Sequence, residues 1–559
     1  MATTRGETHL RLRWYEQIAR VLLVGMLLVL AYNNFRSLYE FPRPDADRWH
    51  GDETWLMREF QTQVDEGIFQ YPEALGSTLE HGNGFILGSM WLNAIAYGVP
   101  AVLGNSKWEI ISTGRTVTWV VSIILLLCVY RMGRRFGLGV NGALIVLLVL
   151  SGSRAWLYGT HSARYDIWVA LGVVCVLWIL SAIAERKEKE IGKSEVLLLG
   201  LLPVFMMVWN VHVLRIAGPA WFAYCLVVCW SNKKRLVEIG VFALGSAMLV
   251  LGLYYITSGS FAPMSASATT SQMRQVLERI PVLHPFAFRT QLANIQLRHD
   301  LMHDEAPLVL MVFTVMLVIF LLSFFSKRRS EIANHSQGFN WLSLVCILSW
   351  GLTTRSLPYY LPQILPVMIL AIVVVLKQRA SAFTWRVPAS LASAFVLIVA
   401  GVVCYAGVEE SMLAAKSGAV VSNSLKRAED EIRSAIARSG SVRPVVMAEP
   451  PLVNLGLSLH NEWRFIAPYY LTYPLDTSIA HGGSPLPQLH AMHVEFVICE
   501  GNRLMLPARY PLGDHGFAAD SIGQLYCQCI GPFSDHDRDY FSVTPQPDDT
   551  ISVFRIKNP

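Results

Sequence analysis

Residues 111–135 read ISTGRTVTWVVSIILLLCVYRMGRR. From Val117 to Tyr130 no side chain is charged, and then Arg131, Arg134 and Arg135 follow within five positions. An apolar helix of roughly 20 residues matches the hydrocarbon thickness of a bilayer. A helix also satisfies its own backbone hydrogen bonds where no water is present to do so. Arginines massed at one end of such a run mark the cytoplasmic side. This stretch therefore reads as a membrane span with a direction.

The same pattern recurs along the chain. Apolar runs lie at 19–38, 111–130, 139–157, 167–184, 195–210, 214–231, 236–256, 306–325, 340–353, 360–376 and 388–406, so about eleven spans are expected. The composition agrees: 53% of the 559 residues are hydrophobic and 16% charged, where soluble domains carry about 25%. Basic clusters fall in every second loop, at Arg11/Arg13/Arg20, Arg131/Arg134/Arg135, Arg186/Lys187/Lys189, Lys233/Lys234/Arg235, Lys327/Arg328/Arg329 and Lys377/Arg379/Arg386. That alternation puts the N-terminus in the cytoplasm and, with an odd span count, the tail after Val408 outside. The first run has no small-residue cleavage site behind it and reads as a retained signal anchor. The net charge of +5 is small, and no nucleic-acid partner is expected.

The chain divides into a membrane unit, 1–409, and a polar tail, 410–559. The tail holds a helix-like segment, 411–438, and strand-like runs at Pro444–Ala448, His493–Cys499 and Ile551–Ile556, so a small soluble α/β domain is expected there. Of nine cysteines, six lie in apolar runs; Cys499, Cys527 and Cys529 lie in the tail, where Cys499 is free to pair with either of the others if the tail is outside. A single Asn-x-Ser triplet, Asn334-His335-Ser336, falls in a loop read as cytoplasmic, which leans toward a bacterial inner membrane with a periplasmic tail.

Polar chemistry gathers in the outer loops. The first contains His50-Gly51-Asp52-Glu53-Thr54-Trp55, after which Leu56, Phe60, Val64 and Ile68 recur every fourth residue. That spacing makes an amphipathic helix lying on the membrane, and 84–104 reads as a second interfacial helix. Asp52 and Glu53 stand where the first of these helices begins; an Asp there commonly only caps it. The second outer loop ends in Ser162-Ala163-Arg164-Tyr165-Asp166, with Asp166 again at a helix start. The third is the short turn Trp209–Arg215, with His212 and Arg215. The fourth, 257–304, carries Arg289 and Arg298, and the fifth Arg355, Tyr359 and Tyr360. A histidine or arginine at the membrane edge has a solvation cost unless it faces a polar cavity. Tyrosines there are equally at home in an interfacial belt.

An acidic pair opening an amphipathic helix after the first span resembles the first-loop motif of the GT-C membrane glycosyltransferases. Gly114-Arg115-Thr116, Ser162–Asp166 and Leu357-Pro358-Tyr359-Tyr360-Leu361-Pro362-Gln363-Ile364-Leu365-Pro366 resemble, in that order, features of the branch containing protein O-mannosyltransferases and the lipid A aminoarabinose transferase. That branch commonly has Lys-Pro-Pro after the first-loop helix. Here Glu80-His81-Gly82-Asn83-Gly84 stands in its place; either His81 or the arginines replace the basic group, or the donor is held differently.

The resemblance implies a polytopic α-helical GT-C fold. It also implies inverting transfer of a sugar from a polyprenyl-phosphate donor to a glycan, lipid or protein acceptor on the non-cytoplasmic face. It makes Asp52 the expected base, with Asp166 and Glu53 as further carboxylates. Arg164, Arg215, Arg289, Arg298 and Arg355 become candidates for phosphate, His212 for a hydrogen bond, and Tyr359 and Tyr360 for lining the sugar or lipid. Oxygen ligands from Asp52, Glu53 and Asp166 would suit Mg²⁺ or Mn²⁺, although no spacing demands a metal. The alternative is a transporter of a lipid-linked or anionic substrate. It predicts polar residues at mid-span, and runs such as Val120–Val129 have no acidic residue.

Overall fold

The computed structural model describes residues 3–38, 107–161, 165–184, 192–230, 232–258, 334–353, 358–380, 394 and 397–413; in the tail it describes 433–434, 437, 440, 444–448, 464–466, 493–500, 503–505, 516–518, 527–530 and 551–555. The expected interfacial helices of the first outer loop, the long loop 259–304 and the run 306–325 lie outside the described residues.

The apolar runs form helices because a chain in hydrocarbon must bond its backbone to itself. They are α1 (Thr3–Ser37), α2 (Lys107–Arg135), α3 (Val140–Ser151), α4 (Arg154–His161), α5 (Asp166–Ala184), α6 (Lys193–Trp209), α7 (Val211–Val228), α8 (Lys233–Ser258), α9 (Asn334–Thr353) and α10 (Leu365–Ala380). A 3₁₀ turn, Pro358–Gln363, leads into α10, and residues 397–413 close the helical part. Among the described residues, α1, α2 and α5 contain stretches long and apolar enough to cross a membrane alone. Apolar side chains such as Val21, Leu28, Leu127, Val241 and Leu244 are exposed, as expected of a protein whose solvent is lipid.

Helix α5 is the centre. Its most apolar window is 72% buried, against 22% for α1. It packs against α2, α4, α6, α7, α9, α10 and the 3₁₀ turn. A helix apolar on every face is a helix surrounded by others. Small residues let its neighbours close in: a Cβ on Gly172 would lie 2.7 Å from both the Trp209 ring and Val213 Cγ2. At the α6–α8 contact, a Cβ on Gly200 would lie 2.5 Å from Phe242 Cβ. Backbone approach over small residues is how helices associate when lipid removes the hydrophobic drive between them.

The run 139–157, expected as one span, is two helices bent by 71°. The bend sits at Gly152, which residues 397–413 cross at close range. A Cβ on Gly152 would come within 2.6 Å of Val403 Cγ1, and one on Gly407 within 2.8 Å of Gly152 Cα. Ser153 then restarts the chain, its Oγ accepting from the Trp156 backbone N–H at 3.3 Å. The break redirects α4 so that Gly159 lies under Pro362, where a Cβ would come within 2.8 Å of the proline ring.

In the tail, β1 (Val445–Ala448), β2 (Arg464–Ile466), β3 (Phe496–Glu500), β6 (Cys527–Ile530) and β7 (Ile551–Arg555) form one sheet in the order β2-β1-β3-β7-β6, while β4 (Arg503–Met505) and β5 (Gly516–Ala518) pair separately. The first three are parallel and the last pairings antiparallel. Each of the three runs read as strands from sequence contains a strand, the second beginning only at Phe496. Cys499 and Cys529 both lie opposite Ser552, on either side of β7. Strands spaced about 4.8 Å apart put Cys499 roughly 10 Å from β6, beyond the Cα separation of about 7 Å that a disulfide tolerates. The backbone register thus sets Cys499 two strands away from Cys527 and Cys529, with β7 between them.

Peptide mapping of non-reduced protein should recover no peptide linking Cys499 to Cys527 or Cys529; such a peptide would disprove the register of β3, β7 and β6. Gly200→Val should lower the melting temperature in detergent, by overpacking worth about 1–3 kcal/mol. Gly240→Ala, where a Cβ meets nothing within 4 Å, should be neutral or stabilising by up to about 1 kcal/mol. Equal effects at the two glycines would contradict the α6–α8 contact.

Candidate functional site

The chain that enters α5 brings Tyr165 and Asp166 into the interior. Asp166 is 2% exposed. A buried carboxylate needs hydrogen bonds, and its Oδ1 accepts one from Gln363 Nε2 at 2.8 Å. Gln363 closes the 3₁₀ turn and is fully buried. A carboxylate can only accept, so the amide must turn its NH₂ toward Asp166. That orientation leaves Gln363 Oε1 buried without a hydrogen-bond partner.

A second arm comes from α7. Asn210 ends α6 and begins α7 in extended conformation (φ −173°, ψ 138°). Its Oδ1 accepts from the His212 backbone N–H at 2.8 Å, capping the helix. The His212 ring meets two tyrosines, stacked on Tyr165 with centroids 5.2 Å apart and tilted against Tyr360 at 5.8 Å. Arg215, one turn along the same face, bonds through Nη2 to His212 Nδ1. The backbone of this arm is pinned by α9: Ser349 Oγ donates to Arg215 O at 2.7 Å.

The 3₁₀ turn joins the arms. Residues i and i+3 of a 3₁₀ helix eclipse one another, so Tyr360, which meets His212, and Gln363, which meets Asp166, project the same way. Trp350 Nε1 holds the turn by donating to Tyr360 O at 3.2 Å, and Gly159 leaves room for Pro362. Beside this cluster, at the end of α1, Ser37 bonds to His161 Nε2. Ser411 Oγ donates to Asn34 Oδ1 at 2.8 Å, tying the end of α1 to residues 397–413.

Of the residues expected from sequence to act, Asp166, His212, Arg215 and Tyr360 come together. Asp52, Glu53, His81, Arg164, Arg289, Arg298 and Arg355 lie outside the described residues, as does the side chain of Tyr359. Only Asp166 of the expected metal ligands is described, and no group of three His, Cys, Asp or Glu side chains able to hold a metal occurs among the described residues. Sequence reasoning gave no role to Gln363, Asn210, Ser349 or His161. Gln363 had a signal: it is the one polar side chain between Leu361 and Ile369.

Compared with solved structures, the chain aligns almost end to end with ArnT from Cupriavidus metallidurans bound to undecaprenyl phosphate: 15% identity, 95% of this chain, 97% of that one, TM-score 0.50. The chain has the GT-C fold. The Archaeoglobus fulgidus oligosaccharyltransferase in complex with Zn and sulfate matches 86% of this chain and 68% of its own at 11% identity and a TM-score of 0.46. Arabinofuranosyltransferase AftD from Mycobacteria matches 97% of this chain and 40% of its own at 12% identity and a TM-score of 0.46. No family model matches the sequence, and no curated protein sequence does. Within the GT-C fold, the buried cluster assembles at helix starts and turns.

The Asp166–Gln363 bond is open to a double-mutant cycle read by melting in detergent. Gln363→Leu should destabilise by about 1.5–3 kcal/mol, because the buried carboxylate loses a charged hydrogen bond. In the Asp166→Ala background the same change should have a much smaller effect. Additive effects would show that the two side chains do not interact.

Proposed function

We propose that this protein is an inverting glycosyltransferase that moves a hexosyl or pentosyl group from a polyprenyl-phosphate donor to a glycan, lipid or protein acceptor on the non-cytoplasmic face of the membrane. The observation that carries the reading is the end-to-end match to a GT-C structure holding undecaprenyl phosphate. The cluster of Asp166, His212, Arg215 and Tyr360 supports it, because the loops and turns that carry these residues are the ones the charge pattern assigns to the outer side. On this reading residues 1–409 are the catalytic membrane unit of a bacterial inner-membrane protein, and 410–559 form a periplasmic domain.

The chemistry is a displacement at the anomeric carbon. The acceptor oxygen forms a bond to that carbon as the bond to the phosphate oxygen breaks, and the acceptor proton passes to Asp52. The polyprenyl phosphate leaves with the electron pair. Two carboxylates are needed when a poor alkoxide leaves; a phosphate leaves as a stable anion, so one base and a set of cations suffice. Arg215 supplies one cation, and Arg164, Arg289, Arg298 and Arg355 are the others assigned to phosphate. His81 takes the position of the missing basic motif. Asp166, held by Gln363, orients the site, and with Asp52 and Glu53 it offers oxygen ligands suited to Mg²⁺ or Mn²⁺. Tyr359 and Tyr360 line the sugar or lipid.

The test is turnover of a panel of polyprenyl-phosphate sugars by purified protein, followed by mass spectrometry. Wild type should consume one donor with inversion, and Asp52→Asn should keep its melting temperature while losing about 10²–10⁴ in kcat. Undiminished activity in Asp52→Asn would remove the base from Asp52. Inertness of the wild type toward every donor would overturn the reading.

A further inference from the structure

The contact between Arg215 and His212 fixes more than a position. A guanidinium has five donors and no acceptor. Its Nη2 meets His212 Nδ1, so Nδ1 must be the nitrogen with the lone pair, and the ring proton sits on Nε2. With the proton on Nδ1, two donors would face each other. A doubly protonated ring would add the repulsion of a second cation. Two aromatic neighbours hold the ring in place: Tyr165 stacks on it and Tyr360 tilts against it. The Asn210 cap fixes the start of its helix, and Ser349 fixes the backbone at Arg215.

We infer that Arg215 is a positioning residue that locks His212 as the neutral tautomer with its proton on Nε2, making His212 a hydrogen-bond donor whose state does not change with pH. Among the described residues, the titratable and charged groups on the elements packed around this ring are few. Tyr165 stands at the entry to α5, with Asp166 beside it bonded to Gln363. Tyr360 belongs to the 3₁₀ turn and Arg215 to α7 itself, and α9 presents the neutral Ser349. Histidine ordinarily changes charge between about pH 5 and 8. Here that change requires giving up the Arg215 bond. For its use the inference rests on the glycosyl-transfer reading: a neutral donor polarises a ligand oxygen without competing with the arginines for phosphate, and it is not consumed as a base. It also reassigns Arg215, which sequence reasoning gave to phosphate alone, by committing one of its donors to the protein.

The experiment is nitrogen-15 NMR of histidine-labelled full-length protein in nanodiscs, with the His212 signals assigned by difference from His212→Gln. The wild type should show an unprotonated Nδ1 and a protonated Nε2 throughout about pH 5–8. Arg215→Leu should mix tautomers and titrate in that range. Arg215→Lys, whose ammonium is also donor-only, should restore the wild-type pattern. A wild-type His212 that titrates or carries its proton on Nδ1 overturns the inference, and so does an Arg215→Leu spectrum identical to wild type. Melting curves establish that the variants are folded; if Arg215→Leu is not, wild type and Arg215→Lys still decide. Turnover is read separately. With an active donor, the acid-side inflection of kcat should move to higher pH in Arg215→Leu and return in Arg215→Lys; an unmoved inflection overturns the role in catalysis. A wild type inert toward all donors defeats the glycosyl-transfer reading, while the NMR spectra still uphold or overturn the tautomer lock.

Discussion

A carboxylate at the head of α5, a helix enclosed by its neighbours, is the constraint around which the rest of the described structure is arranged. Asp166 is buried where hydrocarbon and protein replace water, and an unpaired charge there costs several kcal/mol. The fold answers with Gln363, brought from 197 residues away. That one bond joins the start of α5 to the 3₁₀ turn, and the turn carries Tyr360 against His212. Satisfying Asp166 leaves Gln363 Oε1 without a partner. A buried unsatisfied acceptor is worth about 1–3 kcal/mol of lost stability. Such costs are characteristic of sites kept for work rather than for stability.

Glycines make this arrangement possible. At Gly152, Gly159, Gly172 and Gly200 a Cβ would fall within 3 Å of a neighbouring atom. Two of them serve the site directly: Gly159 admits Pro362, and Gly172 seats α5 against Trp209 and Val213 at the junction of α6 and α7. Gly152 acts at a distance, since the break there turns α4 toward the 3₁₀ turn and the end of α1. Packing in lipid relies on shape and hydrogen bonds, so steric room in the helices and polar pairing in the site are parts of one solution.

The two arms differ in kind. The Asp166–Gln363 arm pairs a carboxyl group with a neutral amide. The His212–Arg215 arm is a neutral ring with a charged partner. Neighbouring groups with opposed requirements are a usual means of keeping protonation states apart in one small site. Here the hydrogen-bond inventory assigns the ring, because a guanidinium has no acceptor.

The sequence by itself determined the class of protein, the order of its apolar runs, the tail strands and the candidate status of Asp166, His212, Arg215 and Tyr360. These follow from local signals: apolar length, arginines at run ends, strand-length alternation and polar residues at the membrane edge. Tertiary structure alone decided that Gln363 answers Asp166, that Arg215 faces His212 Nδ1, that 139–157 is broken at Gly152, and that β7 stands between Cys499 and the other tail cysteines. The reason is range. Periodicity and charge pattern report on neighbours a few residues away, whereas a partner far along the chain, a close backbone crossing or a strand order is set by how the elements pack. Gln363 marks the boundary: its polarity in an apolar run was legible, but what it was for became so only when Asp166 was beside it.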